Sequence, residues 1–153
     1  MFPQMTSNTS TAEATDAIIS AFENKNNIKL PDLYRQFLKQ TNGGRPDRDK
    51  YPIVGLANNP FGGIQTFFGF NKLCDVDNLS NNYDFYSDKI PHGVLLIAGN
   101  GGGDYVCLDL RSGKERVVFW DNRHFWGTGE WREIDLYRIA DNFAEFTRAL
   151  RQR

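Results

Sequence analysis

The chain predicts an α+β fold: a central, mostly antiparallel β-sheet of meander type, covered by helices from its N-terminal and C-terminal ends. Three observations predict it. Residues 94–98, 104–110 and 115–120 are runs rich in the β-branched, aromatic and aliphatic side chains that suit a pleated, half-buried surface. The connections between them, residues 99–103 and 111–114, are short enough for antiparallel neighbours. In the middle run Val106, Leu108 and Leu110 fall on one face and Tyr105, Cys107 and Asp109 on the other, so the first face requires a cover, and helical patterns at both ends of the chain can supply it.

In chain order, residues 1–10 are polar, lack periodicity and read as a tail, which leaves 11–153 as a single domain. From Thr11 onward Ala14, Ala17, Ile18, Ala21 and Phe22 recur at helical spacing until the Asn/Lys run at 24–27 breaks the pattern. A stronger helix follows over 31–40. Leu30, Leu33, Tyr34, Phe37 and Leu38 share one helical face, Pro31 sits in a first turn that tolerates it, and Asn42-Gly43-Gly44 supplies a left-handed stop. Residues 45–59 read as a loop with a short strand at 53–56, and residues 63–70 as an edge strand. Leu73, Val76, Leu79, Tyr83 and Tyr86 mark one face of a frayed helix within 71–89. Residues 121–131 mix charge, glycine and aromatics as a long loop would. Ile139, Phe143, Phe146 and Leu150 mark a closing amphipathic helix, with Arg148, Arg151 and Arg153 at the end its dipole favours.

A chain of 153 residues suits one domain that buries about two-thirds of the surface it would expose unfolded. With 40% hydrophobic and 24% charged residues it is an ordinary globular composition, and 12 Phe point to a core built on rings. The formal net charge of −1 gives no global field toward nucleic acid or an anionic membrane. Two cysteines, Cys74 and Cys107, set no disulfide framework and suit a reducing compartment. Residues 1–10 have no basic and apolar leader pattern, and no apolar run approaches the roughly 18 residues of a membrane span, so the chain is expected in the cytoplasm.

Three segments carry a family resemblance. Leu30-Pro31, Tyr34, Phe37-Leu38 and Asn42-Gly43-Gly44 come first; the turn at 101–104, Leu108-Asp109-Leu110 and Phe119-Trp120-Asp121 follow; Ala140-Asp141, Phe143 and Phe146 close the pattern. In this order and spacing the chain resembles the SUKH superfamily of Smi/Knr-type regulators and bacterial toxin-immunity proteins. The resemblance implies a helix-capped α+β sheet, no catalytic apparatus, no cofactor, and a surface that sequesters a protein, the immunity reading making that protein a cognate toxin domain. Within binding proteins the rival is a regulatory scaffold of the Smi/Knr type. The chain departs from the family after Trp120-Asp121, where an acidic or histidine pair is common and Asn122-Arg123-His124-Phe125-Trp126 stands instead.

The residues support little chemistry. Gly99–Asp104 could cradle a phosphate only if its glycines opened a helix, but they lead into a strand and no Gly-Lys-Ser/Thr follows. His92 and His124 are the two histidines, and Asp121 with His124 is the one metal-like pair, short of the three or four ligands a zinc site uses; no metal is expected. A hydrolase built on Asp104, Asp109, Asp121 and His124 is the reading from another class. It is the weaker one, because Asp104 and Asp109 differ by an odd number and lie on opposite strand faces, and Asp109 shares its face with Tyr105 as a structural hydrogen bond would require.

Two segments suit a protein partner better. Residues 71–89 set Asp75, Asp77, Asp84 and Asp88 against Lys72 and Lys89, the most acidic neighbourhood of the chain, which suits a solvated face or an electrostatic guide. Trp120 reads as core, whereas Phe125, Trp126 and Trp131 suit either core packing or an interface anchor. The candidate partner-binding residues are therefore Asp75, Asp77, Asp84, Asp121 and Trp126, beside the exposed edge of the meander.

Overall fold

The computed structural model describes residues 2–7, 13–56, 61–99 and 103–152. Its elements in chain order are β1 (Met5–Ser7), α1 (Asp16–Asn26), α2 (Asp32–Thr41), β2 (Arg45–Pro46), β3 (Lys50–Pro52), β4 (Phe61–Gly63), β5 (Thr66–Phe67), α3 (Leu79–Tyr86), β6 (Val94–Gly99), β7 (Tyr105–Asp109), β8 (Arg116–Trp120), α4 (Arg123–Thr128), β9 (Leu136–Ala140) and α5 (Phe143–Ala149). The central sheet has the order β5-β6-β7-β8-β9, antiparallel throughout, with β1–β2 and β3–β4 as separate antiparallel pairs. The expected meander is its middle. Asn100–Gly102, most of the glycine-rich connection, lie outside the described residues, as do Thr11, the tip of the 45–59 loop and Arg153.

Register decides which side chains meet. Val106 pairs with Ala98 and Phe119, and Leu108 with Leu95 and Val117; Tyr105 pairs with Gly99 and Trp120, and Cys107 with Leu96 and Val118. Both faces are buried. On the first, Phe67 of β5 meets Phe37 of α2 at 4.9 Å between ring centroids and Phe146 of α5 at 6.3 Å, so α2 and α5 supply the cover that Val106 and Leu108 require. On the second, Tyr86 of α3 and Phe125 of α4 lie 5.5 and 5.3 Å from Trp120. The pattern behind this double cover is the fully buried β6, which shows no polar alternation.

Several boundaries move, each for a local reason. The closing helix loses Ile139, because Asn142 accepts the Glu145 N–H at 2.8 Å and starts α5 at Phe143, which leaves 136–140 to pair with β8 as a fifth strand. The short strand expected at 53–56 lies instead at β3; Val54 still donates to the Arg138 carbonyl at 2.9 Å, but Gly55 at φ +90 ends the extension. The strand expected over 63–70 is divided between β4 and β5, and only the latter lies on the sheet edge. Residues 71–89 are α-helical only in α3, after a 3-10 turn at Asp75–Asp77, so Leu79, Tyr83 and Tyr86 are buried while Leu73 and Val76 stay exposed. Residues 121–131 are not a long loop. They contain α4, closed by Gly129, whose positive φ of 76° lets its N–H reach the Phe125 carbonyl.

Residues 2–7, within the stretch read as a polar tail, lie against the domain. Phe2 meets Phe37 edge-on at 5.3 Å, Pro3 is buried, and β1 pairs with β2. The stop after α2 is built as its residues suggest. Asn42 takes the left-handed conformation, and its amide both accepts the Phe70 N–H and donates to the Phe70 carbonyl, each at 2.8 Å. Gly43 follows at φ +76, where a Cβ would come within 2.5 Å of the Phe67 carbonyl oxygen, so this corner needs glycine on two counts.

Candidate partner-binding surface

Helices α3 and α4 each carry two consecutive aromatic residues, Phe85-Tyr86 and Phe125-Trp126. Consecutive helical positions are about 100° apart, so when one ring of a pair faces the sheet the other stands at the flank. Tyr86 and Phe125 face inward and pack on Trp120, which is only 1% exposed. Phe85 and Trp126 are the outer pair, 49% and 57% exposed, stacked at 6.3 Å with 28° between their planes. Trp131 leans on Trp120 at 5.5 Å and is half-buried, so of the three rings that could have been an anchor only Trp126 is open. Phe85 was missing from the sequence reading. The signal was present, since an inward face of Leu79, Tyr83 and Tyr86 leaves position 85 on the rim.

The acidic candidates occupy different places. Asp75 and Asp77 flank the 3-10 turn, which is tied to the start of α3 by Asn81 donating to the Asp75 carbonyl and Asn82 to the Val76 carbonyl. Burial pushes the Asp77 carboxyl above its ordinary pKa despite the nearby Lys72. Asp84 is half-exposed and pairs with Lys25 of α1 at 3.5 Å. Asp121 is largely covered and engaged by Arg123 through bonds of 2.8 and 2.7 Å, which hold its carboxyl below the usual range. It anchors the start of α4 and presents Arg123, which is largely exposed, to solvent.

Of the carboxylates that a hydrolase would use, Asp121 is engaged by Arg123 and Asp109 by two arginines. Asp109 is buried and accepts from Arg111 and Arg116, while Arg111 also forks onto Glu133 with two bonds of 2.8 Å. Burial raises the Asp109 pKa, but these bonds outweigh it and hold the carboxyl below its ordinary value. The partner expected for Asp109, Tyr105, packs edge-on against Tyr86 at 5.9 Å between ring centroids instead. His124 meets Glu130 at 3.1 Å, and His92 meets the Asn27 carbonyl at 3.0 Å. Among the described residues no three His, Cys, Asp or Glu side chains are grouped to hold a metal ion, and no helix is long and apolar enough to cross a membrane.

The model of the SMI1/KNR4 family (SUKH-1) matches residues 13–149, from the approach to α1 to the end of α5. The chain belongs to this family. A relative, the SPbeta prophage-derived uncharacterized protein YokK of Bacillus subtilis (strain 168), is 30% identical over 135 residues, which cover 80% of this chain and 67% of that protein. The aromatic residues of the three segments collect in the core. Tyr34 and Phe37 of the first segment meet Phe143 of the last at 5.1 and 5.2 Å, and Trp120 of the middle segment floors the other face. Phe85 and Trp126 lie within the matched residues but outside the three segments that carry the resemblance.

Proposed function

We propose that this SUKH-1 chain is a non-catalytic, cytoplasmic protein-binding domain, an immunity protein that neutralises a toxin domain by covering it with the α3–α4 surface. The observation that carries this reading is the exposed Phe85–Trp126 pair held on a layer of buried rings. An aromatic anchor whose position is fixed before binding loses little freedom on association, which is the character of an interface hot spot. The acidic residues of the 71–89 segment supply steering toward a basic toxin. Asp75, Asp77 and Asp84 act in this way, while Asp121 orders the start of α4 beneath Trp126 through its bonds from Arg123. The family match supports a binding role.

The test begins with a protein captured by the full chain from the source cells. That protein should arrest growth when expressed alone, and co-expression of this chain should restore growth. A captured protein whose toxicity is untouched by a stoichiometric excess of the chain overturns the proposal. With such a toxin in hand, Trp126→Ala should speed dissociation by a factor corresponding to about 2 kcal/mol or more, while its melting temperature stays within a few degrees of wild type. Replacing Asp75, Asp77 and Asp84 together by Asn should instead slow association and flatten its salt dependence. Unchanged association at low salt would reduce the acidic segment to a solvated face.

A further inference from the structure

The outer ring pair already holds a cation. Lys89 sets its ammonium 4.5 Å from the Phe85 ring centroid, steadied by the Phe85 carbonyl at 2.7 Å and Asp88 at 3.0 Å. Trp126, whose indole face attracts a cation more strongly than a phenyl ring does, stacks beside Phe85 and is the more exposed of the two. The two segments that form this face set Asp75, Asp77, Asp84, Asp88, Asp121 and Glu130 against Lys72, Lys89 and Arg123, which leaves them three charges negative in a chain whose net charge is −1. Lys72 is buried, so its charge counts little at the surface.

Resting on the partner-binding reading above, we propose that the Phe85–Trp126 pair is the seat of an arginine side chain presented by a basic protein. A guanidinium is planar, weakly hydrated and carries a fork of donors, so it can lie flat on the indole while its N–H groups stay free to hydrogen-bond a carboxylate such as Asp88, which already steadies the cation over Phe85. A lysine ammonium is compact and strongly hydrated and would stack less well. An aliphatic anchor would use the rings but not the charge. A nucleic acid would meet repulsion at its phosphates, where single-strand binders place a positive groove.

The experiment follows the NMR signals of the full chain at low ionic strength during titration with acetyl-Gly-Arg-Gly-amide and with its citrulline counterpart, which keeps the planar shape and loses the charge. The arginine peptide should move the Trp126 indole N–H and the Phe85 ring signals, and Trp126→Ala should remove the response. Citrulline should bind about two- to fivefold more weakly, the factor that an exposed cation–π contact contributes. Equal binding of the two peptides overturns the inference, as do arginine-induced shifts that map away from the ring pair. The outcome is separable from that of the functional reading. A toxin seated on the rings by an aliphatic side chain would defeat the arginine seat and leave immunity standing; an arginine-specific seat on a chain that neutralises nothing would do the reverse.

Discussion

Phe37→Ala is expected to destabilise the domain by about 3–5 kcal/mol, the range for emptying a buried ring site that cannot collapse. Phe37 is fully buried at the centre of four rings: Phe2, Tyr34, Phe67 and Phe143, with centroid distances of 5.3, 6.2, 4.9 and 5.2 Å. These four belong to the N-terminal segment, α2, β5 and α5, so the vacancy cannot be closed by moving one element alone. Denaturant unfolding should show a lower midpoint with an unchanged slope. A midpoint equal to wild type would mean that α2 does not cover the sheet with this face.

The second large effect is expected at Asp109. Removing this carboxylate strands Arg111 and Arg116, and Asp109→Ala should cost about 3 kcal/mol, the low end for breaking a buried ion pair because both guanidiniums can reach water. The loss should depend on pH. The folded-state pKa of Asp109 is held below its ordinary value. Its contribution is therefore fully present above the unfolded value of about 3.9 and disappears as pH falls through the lower folded value. Glu133 shifts the same way, chiefly through its bond from Arg111. Urea midpoints at pH 7 and well below pH 4 should converge for wild type and variant at the acid end; a gap equally wide at both would show that the carboxylate's charge is not what stabilises this end of the sheet.

What could be read from the residues follows how local each signal is. The middle strands, α2 and the Asn42-Gly43-Gly44 stop are legible because hydrophobic period and turn chemistry act within a few residues. The fifth strand was hidden because Ile139, Phe143 and Phe146 fit helical spacing, and only the Asn142 cap, together with pairing to β8, assigns 136–140 to the sheet. Helix α4 was masked by its glycines, one of which proves to be its cap. The Asp109 clamp joins residues up to 24 positions apart, from Asp109 to Glu133, and periodicity cannot show that. Trp126 could be named as an anchor and position 85 placed on the rim of α3, but the stacking of the two rings could not be read, since it depends on two helices crossing the same sheet face.

Helix α2 precedes the sheet that it covers, and this order matters while the chain is being made. About a hundred residues separate the end of α2 at Thr41 from the end of β9 at Ala140. At ~5–20 residues per second, the side chains of Tyr34, Phe37 and Leu38 wait about 5–20 s for the last strand. The nascent helix must spend that interval against water, a chaperone or another unfinished chain. The face that α2 buries in the finished domain is thus an exposed apolar face during translation, and slow synthesis or a stall before β9 would favour aggregation.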